Sequence, residues 1–385
     1  MFNFDFYNPT HICFGQGRIA ELDRLIPANA RVLVLYGGSS AQRTGTLAEV
    51  QNALGQREVH LFGGIEANPS YEKLLEAVEL VRREKLDFLL AVGGGSVIDG
   101  TKFVAAAANY TGEPWEILQS GGRKISQALP IGTVLTLSAT GSEMNNGGVV
   151  TRLSLQAKLP FRNNLLFPRF SILDPTKSFT LPVRQVANGV VDAFVHVVEQ
   201  YLTYPVNAPV QDRFAEGLLQ TLIEQGPLAL SQPQDYEVRA NLMWVASMAL
   251  NGLIGAGVPQ DWSTHMIGHE LTVLHGLDHA QTLAVLLPSM LQQRRTAKRD
   301  KLLQYAERVW SLRDGDEEQR IDEAIAQTRS FFEALGVKTR LSDYNLDQTV
   351  ITPLLAQLES HGMSKLGEHR DIDLATSRLV LEASL

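Results

Sequence analysis

Apolar and polar positions follow two different rhythms along the chain, and the rhythm changes near residue 180. Before it, short apolar runs end at glycine or hydroxyl residues. Arg31-Val-Leu-Val-Leu-Tyr36 stops at Gly37-Gly38, and Phe88-Leu-Leu-Ala-Val92 stops at Gly93-Gly94-Gly95. Leu129-Pro-Ile-Gly-Thr-Val-Leu-Thr136 runs into Ser138-Ala-Thr-Gly141. Such β-rich runs bounded by turn residues predict strands. Between the first two, Tyr71 to Lys85 carries Leu74, Leu75, Val78 and Val81 at helical spacing. Strand, helix, strand in this order predicts a parallel sheet with helices on its faces.

The second half has almost no strand signal. Leu181-Pro182-Val-Arg-Gln opens a helix, with proline near the first turn where its missing N–H costs nothing. Phe214 to Leu230, Val238 to Ile254 and Ile321 to Leu335 are amphipathic helices, and Leu173-Asp174-Pro175 reads as a hinge. No repeat or low-complexity tract appears. The expected architecture is an α/β domain over residues 1–180 and an all-α domain over residues 181–385. A cleft between them is the expected place for a small-molecule site.

Composition narrows the function classes. With 385 residues, two domains are expected. Hydrophobic residues at 44% and charged residues at 20% are those of an ordinary globular protein. A net charge of -8 argues against nucleic acid or an anionic membrane as the main partner. Cys13 is the single cysteine, which excludes an intramolecular disulfide and a cysteine-rich zinc site. The amino-terminal residues lack the basic start and apolar centre of a signal peptide, and the apolar runs are too short to span a bilayer. A cytoplasmic location is expected.

Val92-Gly93-Gly94-Gly95-Ser96-Val97-Ile98-Asp99 joins a predicted strand to a predicted helix. Glycines let backbone approach a pyrophosphate, and a helix N-terminus favours its charge. The stretch is not a Rossmann fingerprint, because Ile98 stands where the third glycine belongs. Nor is it a P-loop, because Lys102 comes one place late after Gly95 to Gly100. Thr136-Leu-Ser138-Ala-Thr140-Gly141-Ser142-Glu143 is a second hydroxyl-rich turn after a strand.

Four of the nine histidines, His265, His269, His275 and His279, fall within one short stretch. Asp192 and His196 lie four residues apart, on one face of a helix. Together these six residues are candidate ligands for a divalent metal. Spacing alone does not choose among the four histidines of the stretch. The pattern is not that of a metalloprotease, since Val273 occupies the second histidine position of His-Glu-x-x-His.

These motifs together resemble the group III, or iron-containing, alcohol dehydrogenases. The likeness runs through Phe6-Tyr-Asn-Pro-Thr-His-Ile-Cys-Phe-Gly15, Gly93 to Asp99, Ala139-Thr-Gly-Ser-Glu143, Asp174-Pro175, Asp192-Ala-Phe-Val-His196 and Gly268 to His279. Within the family it is most similar to YqhD-type NADPH-dependent aldehyde reductases and butanol dehydrogenases. The resemblance implies a dehydroquinate-synthase-like fold, with a dinucleotide in the α/β domain and a metal, Zn²⁺ or Fe²⁺, in the helical one. It implies Asp192, His196, His265 and His279 as ligands, His269 as a pocket residue near the substrate, and His275 as a structural or supporting residue. The proton needs a donor, and His269 acting through water is the candidate, although no spacing argument fixes it. It implies cofactor contacts from Gly94, Gly95, Ser96, Asp99, Thr136, Thr140, Ser142 and Lys158, and a homodimer acting on small aldehydes or alcohols. Asn146, Leu253, Ile254 and Trp262 are candidates for the substrate pocket.

Many NAD-using relatives carry an aspartate just after the first strand, where it repels a 2′-phosphate. Here Gly37, Gly38, Ser39 and Ser40 stand there, with Arg43 close behind and no carboxylate before Glu49. NADP(H) is therefore the expected cofactor. Two rival readings are a dehydroquinate-synthase-like lyase and a non-catalytic nucleotide sensor. The lyase needs cations for a phosphorylated acid, yet Val190–Gln200 and Asp261–Ala280 contain no arginine or lysine. A sensor has no use for an open Lewis-acid site.

Overall fold

The computed structural model describes residues 1–385, which form two compact units. One comprises Tyr7–Leu181 and Pro233–Ser247; the other comprises Met1–Phe6, Pro182–Gln232 and Met248–Leu385. The first carries eight strands: β1 His11–Phe14, β2 Arg31–Tyr36, β3 Glu58–Phe62, β4 Phe88–Gly94, β5 Ile131–Leu137, β6 Gly147–Arg152, β7 Ala157–Arg162 and β8 Phe170–Leu173. Six form one sheet in the order β1-β8-β5-β4-β2-β3, and every pairing in it is parallel. β6 and β7 form a separate antiparallel hairpin.

The sheet is covered on both faces, and the strand sequences require it. Successive side chains point to opposite faces. Leu33, Leu35, Leu89 and Ala91 enter one core with Leu74, Val78 and Phe103. These partners come from helices α2 (Tyr71–Glu84) and α3 (Gly95–Ala107). Val32, Val34, Leu90 and Val92 enter the other with Leu22 and Val50, the latter from α1 (Thr46–Leu54). Continuous apolar runs are the signature of strands buried on both sides.

The helical unit contains α4 Val183–Tyr201, α5 Pro209–Ser231, α7 Ser263–His275 and α8 His279–Gln293. Further along come α9 Arg299–Arg308, α10 Glu317–Ala334, α11 Ile351–Ser360 and α12 Leu374–Ala383. Helix α6, Tyr236–Ala249, gives all but its last two residues to the α/β unit. Ile267 and Leu271 of α7 share a core with Val285 and Met290 of α8, Leu354 of α11 and Val380 of α12. No helix is long and apolar enough to cross a membrane.

The units depart from the expected 1–180 and 181–385 division in two segments. Residues 233–247 join the α/β unit because Met243 enters the sheet core, Trp244 packs edge-on to Phe14, and the Ser247 hydroxyl bonds Glu143. Met1–Phe6 joins the helical unit, where the Phe2 N–H donates to the Gly257 carbonyl at 2.9 Å. Helix α6 also stops at Ala249 rather than Ile254. Gly252 there has φ +92, and the Asn251 carboxamide oxygen accepts from the Leu253 N–H instead. β1, β3, β6, β7 and β8 were not among the expected strands. β1 and β8 have only four residues, β3 is a partly exposed edge strand, and β6 and β7, as long as β2, form a separate hairpin whose sequences carry no continuous apolar run.

Candidate active site

In the α/β unit, the expected cofactor contacts gather at one edge of the sheet. β5, β4 and β2 are adjacent and parallel, so the turns after them share an edge. Gly37, Gly38, Ser39 and Ser40 follow β2. Gly94, Gly95 and Ser96 join β4 to α3. Thr136 lies in β5, with Thr140 and Ser142 in the turn beyond. Ligands of parallel sheets bind at this carboxyl edge. No side chain caps the N-terminus of α3, whose first N–H groups lack intrahelical partners. A Cβ on Gly95 would stand 2.3 Å from Thr140 Oγ1, so only glycine lets these two turns close on each other.

Behind this edge lies a polar brace. Lys102 is fully buried, and its ammonium donates to the Ser142 carbonyl (2.7 Å), Ser142 Oγ (2.9 Å), Asn145 Oδ1 (2.9 Å) and the Gly147 carbonyl (2.7 Å). Burial lowers its pKa to about 8, against the opposing pull of Asp99 and Glu143. The Asp99 carboxylate accepts from Ser142 Oγ at 2.6 Å and from the Val149 N–H at 2.9 Å, and burial raises its pKa. Glu143, also raised by burial, accepts from the Ser247 hydroxyl. Asp99 and Ser142 are thus engaged in holding the loop. Lys158, on β7, donates to Asn68 Oδ1 at 2.8 Å. In the sequence Lys102 stands only one place late for a P-loop lysine, and its bracing role emerges from the fold.

In the helical unit, the tightest set of potential ligand atoms belongs to Asp192, His265 and His279, all within 4.8 Å of one another. His196 reaches the same carboxylate oxygen. Asp192 Oδ1 stands 3.7 Å from His196 Nε2, 4.0 Å from His265 Nε2 and 3.6 Å from His279 Nε2. Asp192 is only 4% exposed, and its Oδ1 makes no hydrogen bond. A buried carboxylate oxygen left this way is costly. Four atoms about 2.0–2.2 Å from one ion at tetrahedral angles stand about 3.3–3.6 Å apart. The Asp192 oxygen lies at or just beyond that spacing from each imidazole nitrogen, 3.6–4.0 Å, and the donor chemistry of three imidazoles and a carboxylate suits Zn²⁺ or Fe²⁺.

The sequence builds this cluster from three helices. Asp192 and His196 are one turn apart on α4, His265 is in the first turn of α7, and His279 is the first residue of α8. A Cβ on Gly268 would lie 2.6 Å from Thr282 Oγ1, so glycine permits α7 and α8 to approach. The Thr282 hydroxyl donates to the His279 carbonyl at 2.7 Å. Asp278 caps α8 in a box with Gln281 and accepts from Asn188 Nδ2 at 2.8 Å.

His269, one turn beyond His265, is buried, with its ring 5.3 Å from that of His279 and 6.5 Å from that of His265. Trp262 packs its indole 5.3 Å from the His265 ring and 6.1 Å from the His196 ring. His275 closes α7, and burial lowers its pKa. Of the other pocket candidates, Leu253 and Ile254 belong to this unit, whereas Asn146 belongs to the α/β unit, where it donates to Asn164 Oδ1 at 2.8 Å.

Glu199 escaped the sequence reading. It lies seven residues after Asp192, hence on the same helix face, and that spacing was the available signal. Its carboxylate pairs with His265 Nδ1 and accepts from the Thr264 N–H at 2.7 Å. Burial, then the neighbouring Asp261, pushes its pKa well above the ordinary value. An Nδ1–H held by Glu199 leaves the His265 Nε2 lone pair facing Asp192. Glu199→Gln is expected to weaken Zn²⁺ binding roughly 10–100-fold with little loss of fold, as read by chelator competition.

Two family models match the chain: iron-containing alcohol dehydrogenase over residues 9–175, and the Fe-containing alcohol dehydrogenase family, C-terminal, over residues 186–372. The NADPH-dependent aldehyde reductase YqhD of Escherichia coli (strain K12) is 60% identical over 386 residues, with 100% of each chain covered. The probable NADH-dependent butanol dehydrogenase 1 of Bacillus subtilis (strain 168) is 37% identical over 391 residues, also with 100% of each covered. The crystal structure of E. coli K-12 YqhD matches with a TM-score of 0.99 at 60% identity, covering 100% of this chain and 99% of that one. Residue by residue and fold by fold, the chain belongs to the iron-containing alcohol dehydrogenase family.

Proposed function

We propose that this protein is an NADP(H)-linked, metal-dependent aldehyde reductase and alcohol dehydrogenase acting on small aldehydes or primary alcohols. The observation that carries the reading is the buried Asp192 oxygen with three imidazole nitrogens 3.6–4.0 Å away. When bound, a divalent ion supplies Lewis acidity to a carbonyl oxygen, and the nicotinamide supplies the hydride. Asp192, His196, His265 and His279 hold the ion, and Glu199 orients His265. His269 moves a proton to or from the substrate oxygen. Trp262, packed on two of the imidazoles, excludes water. The turns after β2, β4 and β5 hold the dinucleotide. A lyase reading is not favoured, since the segments around the ligands lack arginine and lysine. The direct test is aldehyde-dependent NADPH oxidation by purified protein of known metal content. No turnover of any small aldehyde by metal-loaded protein would refute it.

The family likeness and the turn after β2 support NADP(H) over NAD(H). The E. coli relative at 60% identity is named as NADPH-dependent, and the B. subtilis one at 37% as NADH-dependent. The turn offers no carboxylate to a 2′-phosphate, while Ser39, Ser40 and Arg43 supply donors and charge. A Cβ on Gly38 meets nothing within 4 Å, so a side chain there is accommodated. Gly38→Asp is expected to lower kcat/KM for NADPH roughly tenfold or more while sparing NADH, by restoring a repelling charge. Unchanged NADPH use would show that the 2′-phosphate sits elsewhere. The same reading carries a homodimer, checked by sedimentation of the purified protein, and a cytoplasmic location, checked by cell fractionation.

A further inference from the structure

We infer that Lys298 is a positioning residue for the metal centre, fixing through Asp261 the left-handed turn that sets Trp262 against His196 and His265. The inference rests on the proposed metal site.

Trp262 has φ +64 and ψ 5, a conformation that bulky side chains rarely adopt. Such a residue persists where its surroundings over-determine it. Asp261, just before it, is held at three points. Its N–H donates to the Glu199 carbonyl at 2.9 Å, and its Oδ1 accepts from the Ser263 N–H at 3.0 Å. Its Oδ2 lies 2.8 Å from Lys298 Nζ. The Trp262 indole N–H in turn donates to Gln260 Oε1 at 2.8 Å.

Lys298 is itself saturated. Its three N–H donors meet Asp261 Oδ2, Glu368 Oε1 at 2.6 Å and the Leu202 carbonyl at 2.7 Å. Leu202 caps α4, the helix that carries Asp192, His196 and Glu199. One ammonium therefore ties the end of that helix to the turn that opens α7, where His265 sits. The Lys298 side chain is 1% exposed, and those of Asp261 and Glu368 are each 4% exposed. Burial pulls the Lys298 pKa down, but the two carboxylates outweigh it and the pKa is raised. The ammonium stays charged and is shielded from solvent.

Charge and geometry predict opposite outcomes when Lys298 is neutralised. Removing the cation that pairs with Asp261 and Glu368 makes the region more negative, which by itself tightens binding of a dication. Releasing the turn loosens it. The experiment measures Zn²⁺ affinity of the full-length protein by chelator competition for wild type, Lys298→Met and Asp261→Asn. Thermal melts and the absorption bands of Co²⁺-loaded protein accompany it. Lys298→Gln, which also removes the charge but keeps a polar side chain, serves if Lys298→Met fails to fold. In Asp261→Asn the lost negative charge alone weakens Zn²⁺ binding, so that variant is read by its Co²⁺ bands. The expected result in a folded Lys298 variant is Zn²⁺ binding weaker by roughly 10–100-fold, the range seen for outer supporting partners, with altered Co²⁺ bands. Unchanged or tighter binding in a folded Lys298 variant overturns the inference. Wild-type protein that takes up no Zn²⁺ or Co²⁺ instead overturns the metal reading on which it rests.

Discussion

Asp192→Ala is expected to abolish stoichiometric metal binding and to lower turnover by at least the roughly 10²–10³-fold that loss of one stabiliser of developing charge costs. The residue faces all three imidazoles at once, from 3.6 to 4.0 Å. Its removal deletes the only carboxylate in the cluster of donor atoms. It also removes a buried oxygen that makes no hydrogen bond, so the fold loses no such bond at that atom. Metal-free Asp192→Ala should therefore melt close to the metal-free parent protein, while the metal-loaded parent is the more stable of the three by linkage. Chelator-treated parent protein should be inactive and recover with Zn²⁺ or Fe²⁺. Metal analysis, melts and aldehyde turnover on the same preparations separate these outcomes. Full activity in verified metal-free protein would sink the mechanism.

The sequence disclosed the parts of the site whose spacing follows one element. Asp192 and His196 share a turn of α4, and Gly93 to Ser96 mark a strand-to-helix joint. The three strands that could be read, β2, β4 and β5, are interior strands of six or seven residues, whereas β8, the other interior strand, has only four. β1, β3 and β8 gain their stability from neighbours already in the sheet, so their own sequences carry little signal. Glu199 was within reach of the same helical spacing. Lys298, Asp261 and Glu368 were not, because they come from three segments far apart in sequence and only the tertiary fold makes them neighbours. Lys102 shows the same limit. Its four oxygen partners lie some 40 residues on, in a loop whose shape the lysine itself dictates. The exchange of residues 1–6 and 233–247 between units likewise depends on packing partners and not on local pattern.

The choice among the histidines after His265 was beyond spacing, and the geometry makes a separating test available. His279 lies with Asp192 and His265 in the tight set, whereas His269 enters through ring contacts to His279 and His265. His269 is 3% exposed and sits one turn from a proposed ligand, and the proposed mechanism gives it the proton exchanged with the substrate oxygen. His269→Ala is expected to keep stoichiometric metal and to lose roughly 10²–10⁴-fold in kcat, the range for missing acid–base assistance. That loss corresponds to about 3–5 kcal/mol of barrier. A pH profile adds a second readout. If His269 carries the proton, the limb of the kcat profile that it sets should vanish in the variant while the metal-dependent level remains. Metal content falling as far as in Asp192→Ala would mean that His269 is a ligand and that the present set is wrong. Retained metal with kcat within a few-fold of the parent would leave His269 as a wall of the pocket, with the proton delivered by another group.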